Sequence, residues 1–350
     1  MNQNEKEIIY LDRNENNYGP APRCFEILKN LNAQHLSKYT RIHEKKAKGE
    51  LSLRLAQEYN LPEKQIVMGY GSEDLLKSLI HCYLKKGDTL LIPAFSWWYY
   101  KSIASEVGGN TIEYPLYPGE ESYYYDVEGM FKVYHKFKPK IVFISSPNNP
   151  TGNSLTPEDL YKILNEMRDS IIVLDEAYAM FKTKDKAYVK NIVEQYPKVA
   201  IVRTFSKFFA LAGARIGFAL IGKELDYYEL LTSKYLGYNR INEQIAIAAL
   251  DSMSYYEQIT AQINKDKEML FNEFRKLPGF KPYRSDANFM LVDMDKSKMP
   301  LLDQFLRSKG IVIKFMNEKN LDSQVRITIG THEQNVQLIN AIKEFVEKGL

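Results

Sequence analysis

The chain has little of what marks a secreted, metal-binding or nucleic-acid-binding protein. Its 350 residues include two cysteines, Cys24 and Cys82, which are too few for a disulfide framework and fit the reducing cytoplasm. The five histidines are scattered and form no HExxH motif, and no paired CxxC is present, so we expect no metal site. The net charge of +3 is small and no dense basic tract occurs, which argues against nucleic acid and membrane surfaces as partners.

Long apolar runs are also missing. No run approaches the roughly 20 residues that a membrane-spanning helix needs, and the polar, acidic N-terminus does not resemble a signal peptide. With 45% hydrophobic and 26% charged residues, the composition is typical of a soluble globular protein. A chain of this length is expected to form two lobes or domains.

Short apolar runs alternate with helical patterns, which predicts an α/β protein with a mostly parallel sheet. The predicted strands are nearly all apolar, as in strands that helices cover on both faces. They lie at residues 89–93, 141–146, 171–176, 199–205 and 216–222. After about residue 240, helical patterns lead into a smaller α+β domain. We predict an N-terminal segment (1–40) that packs with the small domain, a large domain (41–240) and a small C-terminal domain (241–350).

Two polar segments are predicted at the carboxyl ends of strands, where open α/β sheets bind their ligands. Asp175 ends the run "IIVLD", and a buried carboxylate there needs a cationic or hydrogen-bonding partner to stay ionised. A helix cap or a metal ligand of the Walker-B kind is the alternative interpretation. The loop "SSPNNPTG" (145–152) presents Asn148 and Asn149 at the same edge, although a plain strand-to-helix connection would use similar residues.

The segment "GYGSEDLL" predicts the start of a helix with Ser72 as its N-cap. A glycine such as Gly71 before a helix lets free backbone N–H groups approach a phosphate. The acidic Glu73 and Asp74 could instead serve the helix dipole. The pattern is neither a dinucleotide-binding GxGxxG motif nor a P-loop.

A lysine and an arginine lie within the apolar stretch "TFSKFFALAGARIGF" (204–218). Thr204 and Ser206 end a predicted strand, so their hydroxyls should meet Lys207 and Arg215 at one sheet edge. An amine in apolar surroundings has a lowered pKa and can form a Schiff base with a carbonyl, and an arginine beside a serine hydroxyl suits a phosphate monoester. A lone lysine would more often be a solvated surface residue. A Schiff-base lysine, a buried aspartate and a phosphate site together are what pyridoxal phosphate requires.

With these motifs the sequence resembles the fold-type-I pyridoxal-phosphate enzymes, and among them most closely the histidinol-phosphate aminotransferases. The resemblance covers nearly the whole chain in the same order. Its motifs are "LDRNENNYGP", "SKYTR", "GYGSEDLL", "PAFSWW", "PNNPTG", "LDEAY", "TFSKFFALAGARIGF" and "VRITIGT". A large domain with a mostly parallel sheet, a smaller α+β domain and pyridoxal 5'-phosphate as cofactor are what this resemblance implies.

The resemblance also implies the catalytic residues. Lys207 would bind the cofactor as a Schiff base and carry the proton between Cα and C4′. Asp175 would pair with the pyridine nitrogen and keep it protonated. Asn149 and Tyr178 would hydrogen-bond the phenolic oxygen of the cofactor.

The cofactor phosphate would be held by Ser206 and Arg215, together with the backbone around Gly71, Ser72 and Glu73. Tyr39 matches a tyrosine that reaches the phosphate of the neighbouring subunit, which implies a homodimer. One residue of "PAFSWW" should stack on the cofactor ring. We expect Phe95 because it follows the Pro93 turn directly, with Trp97 and Trp98 as alternatives.

Substrate contacts are implied for Arg326, which would clamp the α-carboxylate through its bidentate fork, and for Asn149 and Tyr18. Lys314 stands where the family usually has an arginine that helps bind the substrate phosphate. This difference is compatible with a phosphorylated substrate smaller than histidinol phosphate.

We therefore expect a cytoplasmic aminotransferase that transfers the amino group of glutamate to a small ketone or 2-oxo acceptor, with or without a phosphate group. A pyridoxal-phosphate decarboxylase of an O-phospho-amino acid is the alternative, since it would use nearly the same residues. A regulator that uses this fold to sense an effector would also need a DNA-binding helix-turn-helix domain, for which the sequence before Tyr10 leaves no room.

Overall fold

The computed structural model describes residues 8–45, 47–233 and 237–349. Its strands are, in chain order, β1 (Ile9–Leu11), β2 (Ile66–Gly69), β3 (Thr89–Pro93), β4 (Asn110–Tyr114), β5 (Leu116–Pro118), β6 (Tyr123–Tyr125), β7 (Ile141–Ser145), β8 (Ile171–Asp175), β9 (Val199–Thr204), β10 (Gly217–Ile221), β11 (Phe280–Tyr283), β12 (Phe289–Met294), β13 (Ile311–Phe315) and β14 (Gln324–Thr328). Each of the five predicted strands forms, with its ends within one residue of the predicted ones.

The helices are, in chain order, α1 (Pro22–Lys29), α2 (Ala33–Ser37), α3 (Glu50–Tyr59), α4 (Ser72–Tyr83), α5 (Tyr99–Glu106), α6 (Val127–Phe137), α7 (Pro157–Glu166), α8 (Ala179–Lys182), α9 (Ala187–Gln195), α10 (Asp226–Thr232), α11 (Arg240–Leu250), α12 (Met253–Lys276), α13 (Met299–Ser308) and α14 (His332–Glu347). Of the helices that the structure describes, none is both long and apolar enough to cross a lipid bilayer.

The largest sheet has seven strands in the order β2-β10-β9-β8-β7-β3-β4. Strand β10 runs antiparallel to both of its neighbours, and the remaining pairs are parallel. The predicted α/β fold with a mostly parallel sheet is therefore confirmed. Parallel strands all end at the same edge, so the loops after β7, β8 and β9 lie side by side.

Helices cover both faces of this sheet, as the continuous apolar runs predict. Alternate residues of β8 show it, because Ile172 and Leu174 belong to one apolar cluster and Ile171 and Val173 to another. The first cluster includes buried residues of α7 and α9, and the second includes buried residues of α4 and α5. A polar side chain at the end of β8 is thus held by a strand that has little freedom to move.

The smaller sheet has five strands in the order β1-β13-β14-β12-β11. Strand β1, from the N-terminal segment, pairs in parallel with β13, and the other pairs are antiparallel. Helix α14 begins with a capping box, in which Thr331 and Gln334 each bond the backbone of the other. The pairing of β1 ties the N-terminal segment to the smaller sheet, while the domain boundaries near residues 40 and 240 stay a prediction.

Candidate active site

A cleft of about 830 Å³ opens at the carboxyl ends of β7, β8 and β9 and is also lined by residues of the smaller sheet. Its lining includes Asn149, Asp175 and Lys207, which the sequence places at strand ends. The lining residues are Asp12, Arg13, Asn14, Ser72, Ser96, Trp97, Trp98, Tyr100, Ser145, Asn149, Pro150, Asp175, Ala177, Tyr178, Lys207, Lys314, Met316, Asn317, Glu318 and Arg326. The segment after β1, the loops of the large sheet and the strands of the smaller sheet therefore line one cleft.

Lys207 lies in this cleft, three residues after the end of β9. Its Nζ donates a hydrogen bond to the backbone carbonyl of Arg13 at 2.8 Å and lies 5.8 Å from the centre of the Tyr178 ring. Burial, helped by the positive charge of Arg326, lowers the pKa of Lys207 to about 8. A large fraction of the amine is therefore neutral in mildly alkaline solution, which is the form that can act as a nucleophile or a base.

Asp175 is the last residue of β8, and its carboxylate faces the cleft. The Tyr100 hydroxyl donates to Oδ2 at 2.5 Å, and the backbone N–H of Ala177 donates to Oδ1 at 3.1 Å. Burial raises the pKa of Asp175, and these two hydrogen bonds act in the opposite direction. Among the described residues, no lysine or arginine forms an ion pair with this carboxylate. It is therefore suited to a ligand that brings its own positive charge.

The loop after β7 meets the smaller sheet at Arg326. Nη1 of Arg326 donates to Oδ1 of Asn149 at 2.5 Å, and Nη2 donates to the backbone carbonyl of Asp12 at 2.7 Å. The Tyr178 hydroxyl accepts a hydrogen bond from Nδ2 of Asn14 at 2.9 Å. Lys314, on the adjacent strand β13, is directly opposite Arg326 in the strand pairing. Two cations of the smaller sheet thus face Lys207 and Asp175.

A helix N-terminus and an arginine form the next part of the site. Helix α4 starts at Ser72, and its N-cap is Gly71 with φ of +86°, so the expectation that Ser72 is the N-cap was wrong. A Cβ at residue 71 would lie 2.7 Å from Nη2 of Arg215. Only glycine adopts this φ without strain and leaves room for the guanidinium. The free N–H groups of α4 and Arg215 together offer a site for an anion.

Arg215 is exposed, and its guanidinium has only long contacts, including one of 3.5 Å to Glu73. Ser206 is buried, and its hydroxyl accepts a hydrogen bond from Thr204 at 3.0 Å. Neither Arg215 nor Ser206 is among the residues that line the cleft, although Ser72 is. Arg215 lies against Gly71 at the start of α4, and the phosphate role of these residues stays a prediction.

Phe95 is not among the residues that line the cleft, and its expected stacking role stays a prediction. Its ring packs edge-on against Tyr123 at 5.9 Å, in an apolar cluster that includes the cleft residue Met316. Trp97 lines the cleft but packs closely against Tyr99, at 4.8 Å between ring centres. Trp98 also lines the cleft and is 61% exposed, so one face of its ring is free. Of the three candidates, Trp97 and Trp98 line the cleft, and Trp98 has the more exposed ring.

Two further predicted residues lie outside the cleft. Tyr18 packs half-buried against the core, where burial and the nearby charge of Asp266 raise the pKa of its hydroxyl. Tyr18 is not among the residues that line the cleft, and its expected substrate contact stays a prediction. Tyr39 is 74% exposed and does not line the cleft of its own chain.

Sequence reasoning missed several lining residues. Asp12, Arg13 and Asn14 follow β1 in the motif "LDRNEN", and their position in a motif without apolar periodicity was the signal that could have found them. Tyr100 lies in the aromatic run "SWWYY", which gives no sign that one hydroxyl reaches Asp175.

An α/β fold with these two sheets and a cleft of this kind is that of the fold-type-I pyridoxal-phosphate enzymes. The chain belongs to the aminotransferase class I and II family, whose model matches residues 6–342. It is thus a pyridoxal-phosphate-dependent aminotransferase, as the sequence resemblance implied.

Individual relatives agree with the family. The chain is 31% identical over 346 residues to a histidinol-phosphate aminotransferase of Caldanaerobacter subterraneus subsp. tengcongensis, which covers 99% of this chain and 96% of that protein. The structure of histidinol-phosphate aminotransferase from Sinorhizobium meliloti in complex with pyridoxal-5'-phosphate has a TM-score of 0.87 at 24% identity, over 99% of this chain and 93% of that one. L-threonine-O-3-phosphate decarboxylase from Porphyromonas gingivalis has a TM-score of 0.82 at 20% identity, over 97% of this chain and 100% of that one.

Proposed function

We propose that the protein transfers an amino group between glutamate and a small phosphorylated substrate, with histidinol phosphate and 2-oxoglutarate as the first pair to test. The observation that carries this proposal is the pairing, in one cleft, of a buried carboxylate without a cationic partner and a lysine with a pKa of about 8. Relatives named histidinol-phosphate aminotransferase, at about 30% identity over nearly the full chain, support this choice of substrate.

The residues of the cleft fit pyridoxal 5'-phosphate. Asp175 matches a protonated ring nitrogen, Asn149 and Tyr178 provide polar groups for the phenolic oxygen, and the N-terminus of α4 with Arg215 matches the phosphate. The glycine at residue 71, where a Cβ would meet the arginine, is what a closely approached anion site requires. We propose Trp98 for stacking on the ring, in place of Phe95.

When bound, the cofactor supplies an electron sink that stabilises negative charge at the substrate Cα. Lys207 provides the amine that binds the cofactor, and its Nζ, once free, can take the proton from Cα because a large fraction of it is neutral near its pKa of about 8. Asp175 stabilises positive charge at the far side of the cleft. The apolar residues around Lys207 keep water from the amine.

The smaller sheet provides the substrate contacts. Arg326 suits the α-carboxylate of glutamate, because its fork can form two parallel hydrogen bonds. Lys314, opposite Arg326 in the next strand, adds a second cation, and a doubly charged phosphate favours two cations. A lysine binds phosphate as a point charge, so this position tolerates phosphorylated substrates of more than one shape.

The assembly and location are part of the proposal. Tyr39 is exposed and outside its own cleft, which supports a homodimer in which it reaches the neighbouring subunit. We expect the protein in the cytoplasm, where glutamate and 2-oxoglutarate are available and where two free cysteines stay reduced.

Two half-reactions test the proposed function. L-glutamate alone should convert the bound cofactor to its amine form, seen as loss of the visible absorbance band, and histidinol phosphate should do the same. Histidinol phosphate and 2-oxoglutarate together should then give steady turnover, with glutamate and the ketone derived from histidinol phosphate as products. Release of CO₂ from O-phospho-L-threonine, without conversion of the cofactor by glutamate, would instead establish the decarboxylase.

A further inference from the structure

Tyr100 is a buried tyrosine whose hydroxyl contacts the key acid of the cleft. It is the second residue of α5, is 1% exposed, and donates to Oδ2 of Asp175 at 2.5 Å. Its ring is fixed by an edge-to-face contact with Phe143 at 5.0 Å between ring centres and by a second with Trp97 at 5.9 Å. The phenol therefore has little freedom to turn away from the carboxylate.

Asp175 depends on this hydroxyl because it has few hydrogen-bond donors. Among the described residues, its hydrogen-bond donors are the Tyr100 hydroxyl and the N–H of Ala177 at 3.1 Å, and the first is the only side chain of the two. A hydrogen bond from a neutral donor to a charged oxygen is about twice as strong as one between neutral groups. A buried carboxylate without such donors takes up a proton, and a neutral acid no longer attracts a cation.

The hydroxyl is not needed for packing. Tyr114 is another fully buried tyrosine beside the same Phe143. Its hydroxyl donates to the backbone carbonyl of Phe143 at 3.2 Å and so bonds the main chain, not a charged side chain. The ring of Tyr100 lies against the rings of Phe143 and Trp97, and a phenylalanine would fill the same space. Its hydroxyl lies near the Ser145 hydroxyl as well as Asp175. Among the described residues, Asp175 is the charged group that the Tyr100 hydroxyl contacts.

We propose that Tyr100 is a positioning residue: it holds the carboxylate of Asp175 charged and turned into the cleft, so that Asp175 can pair with the protonated ring nitrogen of pyridoxal phosphate. This inference rests on the proposed function, because it assigns Asp175 the cofactor nitrogen as its partner. Tyr100 acts through Asp175 and needs no contact with the reacting atoms.

The test compares two ligands on the apoprotein of the full chain. One is pyridoxal 5'-phosphate, and the other is its 1-deaza analogue, in which a C–H group replaces the ring nitrogen. Tyr100→Phe should weaken binding of pyridoxal phosphate by about 10- to 100-fold, the range for one hydrogen bond to a charged group. It should change the affinity for the analogue by less than about twofold, because the analogue has no nitrogen for Asp175 to pair with.

Tyr114→Phe is the matched control, since it also removes one buried hydroxyl but leaves Asp175 untouched. It should shift the two affinities equally or not at all. In an Asp175→Asn background, Tyr100→Phe should cost no further affinity for pyridoxal phosphate, because the partner of the hydroxyl has lost its charge. If Tyr100→Phe does not fold, Tyr100→Met removes the same hydroxyl and fills the space with a flexible apolar chain.

Equal losses for both ligands in Tyr100→Phe, or wild-type affinity for pyridoxal phosphate, would overturn the inference and make Tyr100 a packing residue. The proposed function fails differently, because the wild-type chain would then bind the cofactor but transfer no amino group. A wild-type chain that bound neither ligand would contradict the function and this inference together.

Discussion

Asp175 and Glu176 are neighbours in the sequence and equally buried, at 6% exposure each, yet they lie in opposite environments. Asp175 is the last residue of β8 and faces the cleft, whereas the side chain of the next residue, Glu176, bonds Arg203 and Tyr188 in the core. Glu176 accepts hydrogen bonds from Nε of Arg203 at 2.9 Å, Nη2 of Arg203 at 2.7 Å and the Tyr188 hydroxyl at 2.8 Å. Burial alone therefore does not identify a functional acid. Among the described residues, what distinguishes Asp175 from Glu176 is that Asp175 has no cationic partner.

Two lysines show the same contrast. Burial lowers the pKa of both Lys207 and Lys267 to about 8. Lys267 donates to the backbone carbonyl of Ala287 at 3.0 Å and does not line the cleft, whereas Lys207 shares the cleft with Asp175 and Arg326. A lowered lysine pKa therefore identifies a functional site only where the neighbours can use the amine.

The largest effect is expected from Lys207→Ala. Because Lys207 provides the amine that binds the cofactor, this variant should lose turnover to the detection limit and lose the visible band of the bound cofactor. Lys267→Ala is the matched control and should keep both. Turnover in Lys207→Ala would contradict the assignment of Lys207.

Asp175→Asn should lower kcat/KM for histidinol phosphate by about 10²- to 10³-fold, because a neutral amide stabilises less positive charge at the ring nitrogen. The melting temperature of the apoprotein should not fall, since a buried unpaired charge is removed. Kinetics and thermal unfolding measured on one preparation check both statements. A loss of activity below threefold would show that Asp175 does not have this partner.

Glu176→Gln should act on stability and leave the cofactor band in place. The substitution leaves Arg203 buried without its partner charge, which should cost about 3 kcal/mol in the free energy of unfolding. Urea denaturation of the apoprotein measures the change. A folded variant that fails to bind the cofactor would remove the distinction between the two carboxylates.

Arg326→Ala should weaken the binding of glutamate by about 2 kcal/mol, because the α-carboxylate loses its charged partner. The loss should be seen mainly as a higher KM for glutamate. Lys314→Ala is the comparison on the adjacent strand. It should affect the phosphorylated substrate more than glutamate, and an equal effect on both substrates would argue against separate roles.

The smallest effect concerns pH. The neutral form of Lys207 is the reactive one, and its fraction rises as pH rises through its pKa of about 8. The rate at which the apoprotein takes up pyridoxal phosphate should therefore increase with an inflection near pH 8. An inflection near the ordinary lysine pKa of about 10.4 would show that the amine is not buried in this way.

Much of this arrangement could be predicted from the sequence. Continuous apolar runs allowed the five strands to be predicted, and the rule that parallel strands end at one edge predicted that Asn149, Asp175 and Lys207 would meet. All three line one cleft. Local rules suffice here because each side chain is placed by the strand that precedes it.

The remaining features depend on geometry that no local pattern records. Whether Phe95 or Trp98 faces the cleft depends on backbone dihedral angles after β3, and all the candidates are aromatic. The contact of Tyr100 with Asp175 joins residues 75 positions apart and depends on how α5 packs on the sheet. The N-cap moved from Ser72 to Gly71 because a left-handed φ, which the sequence shows only as a glycine, precedes the helix.

The most direct measurement is the dissociation constant of pyridoxal 5'-phosphate for the wild-type, Asp175→Asn and Glu176→Gln apoproteins. If the missing cation makes Asp175 the cofactor residue, Asp175→Asn should bind at least about tenfold more weakly. Glu176→Gln should stay within about twofold of the wild-type value despite its lower stability. Equal losses of affinity in both variants would contradict the account, because the two carboxylates would then differ only in the direction in which their side chains point.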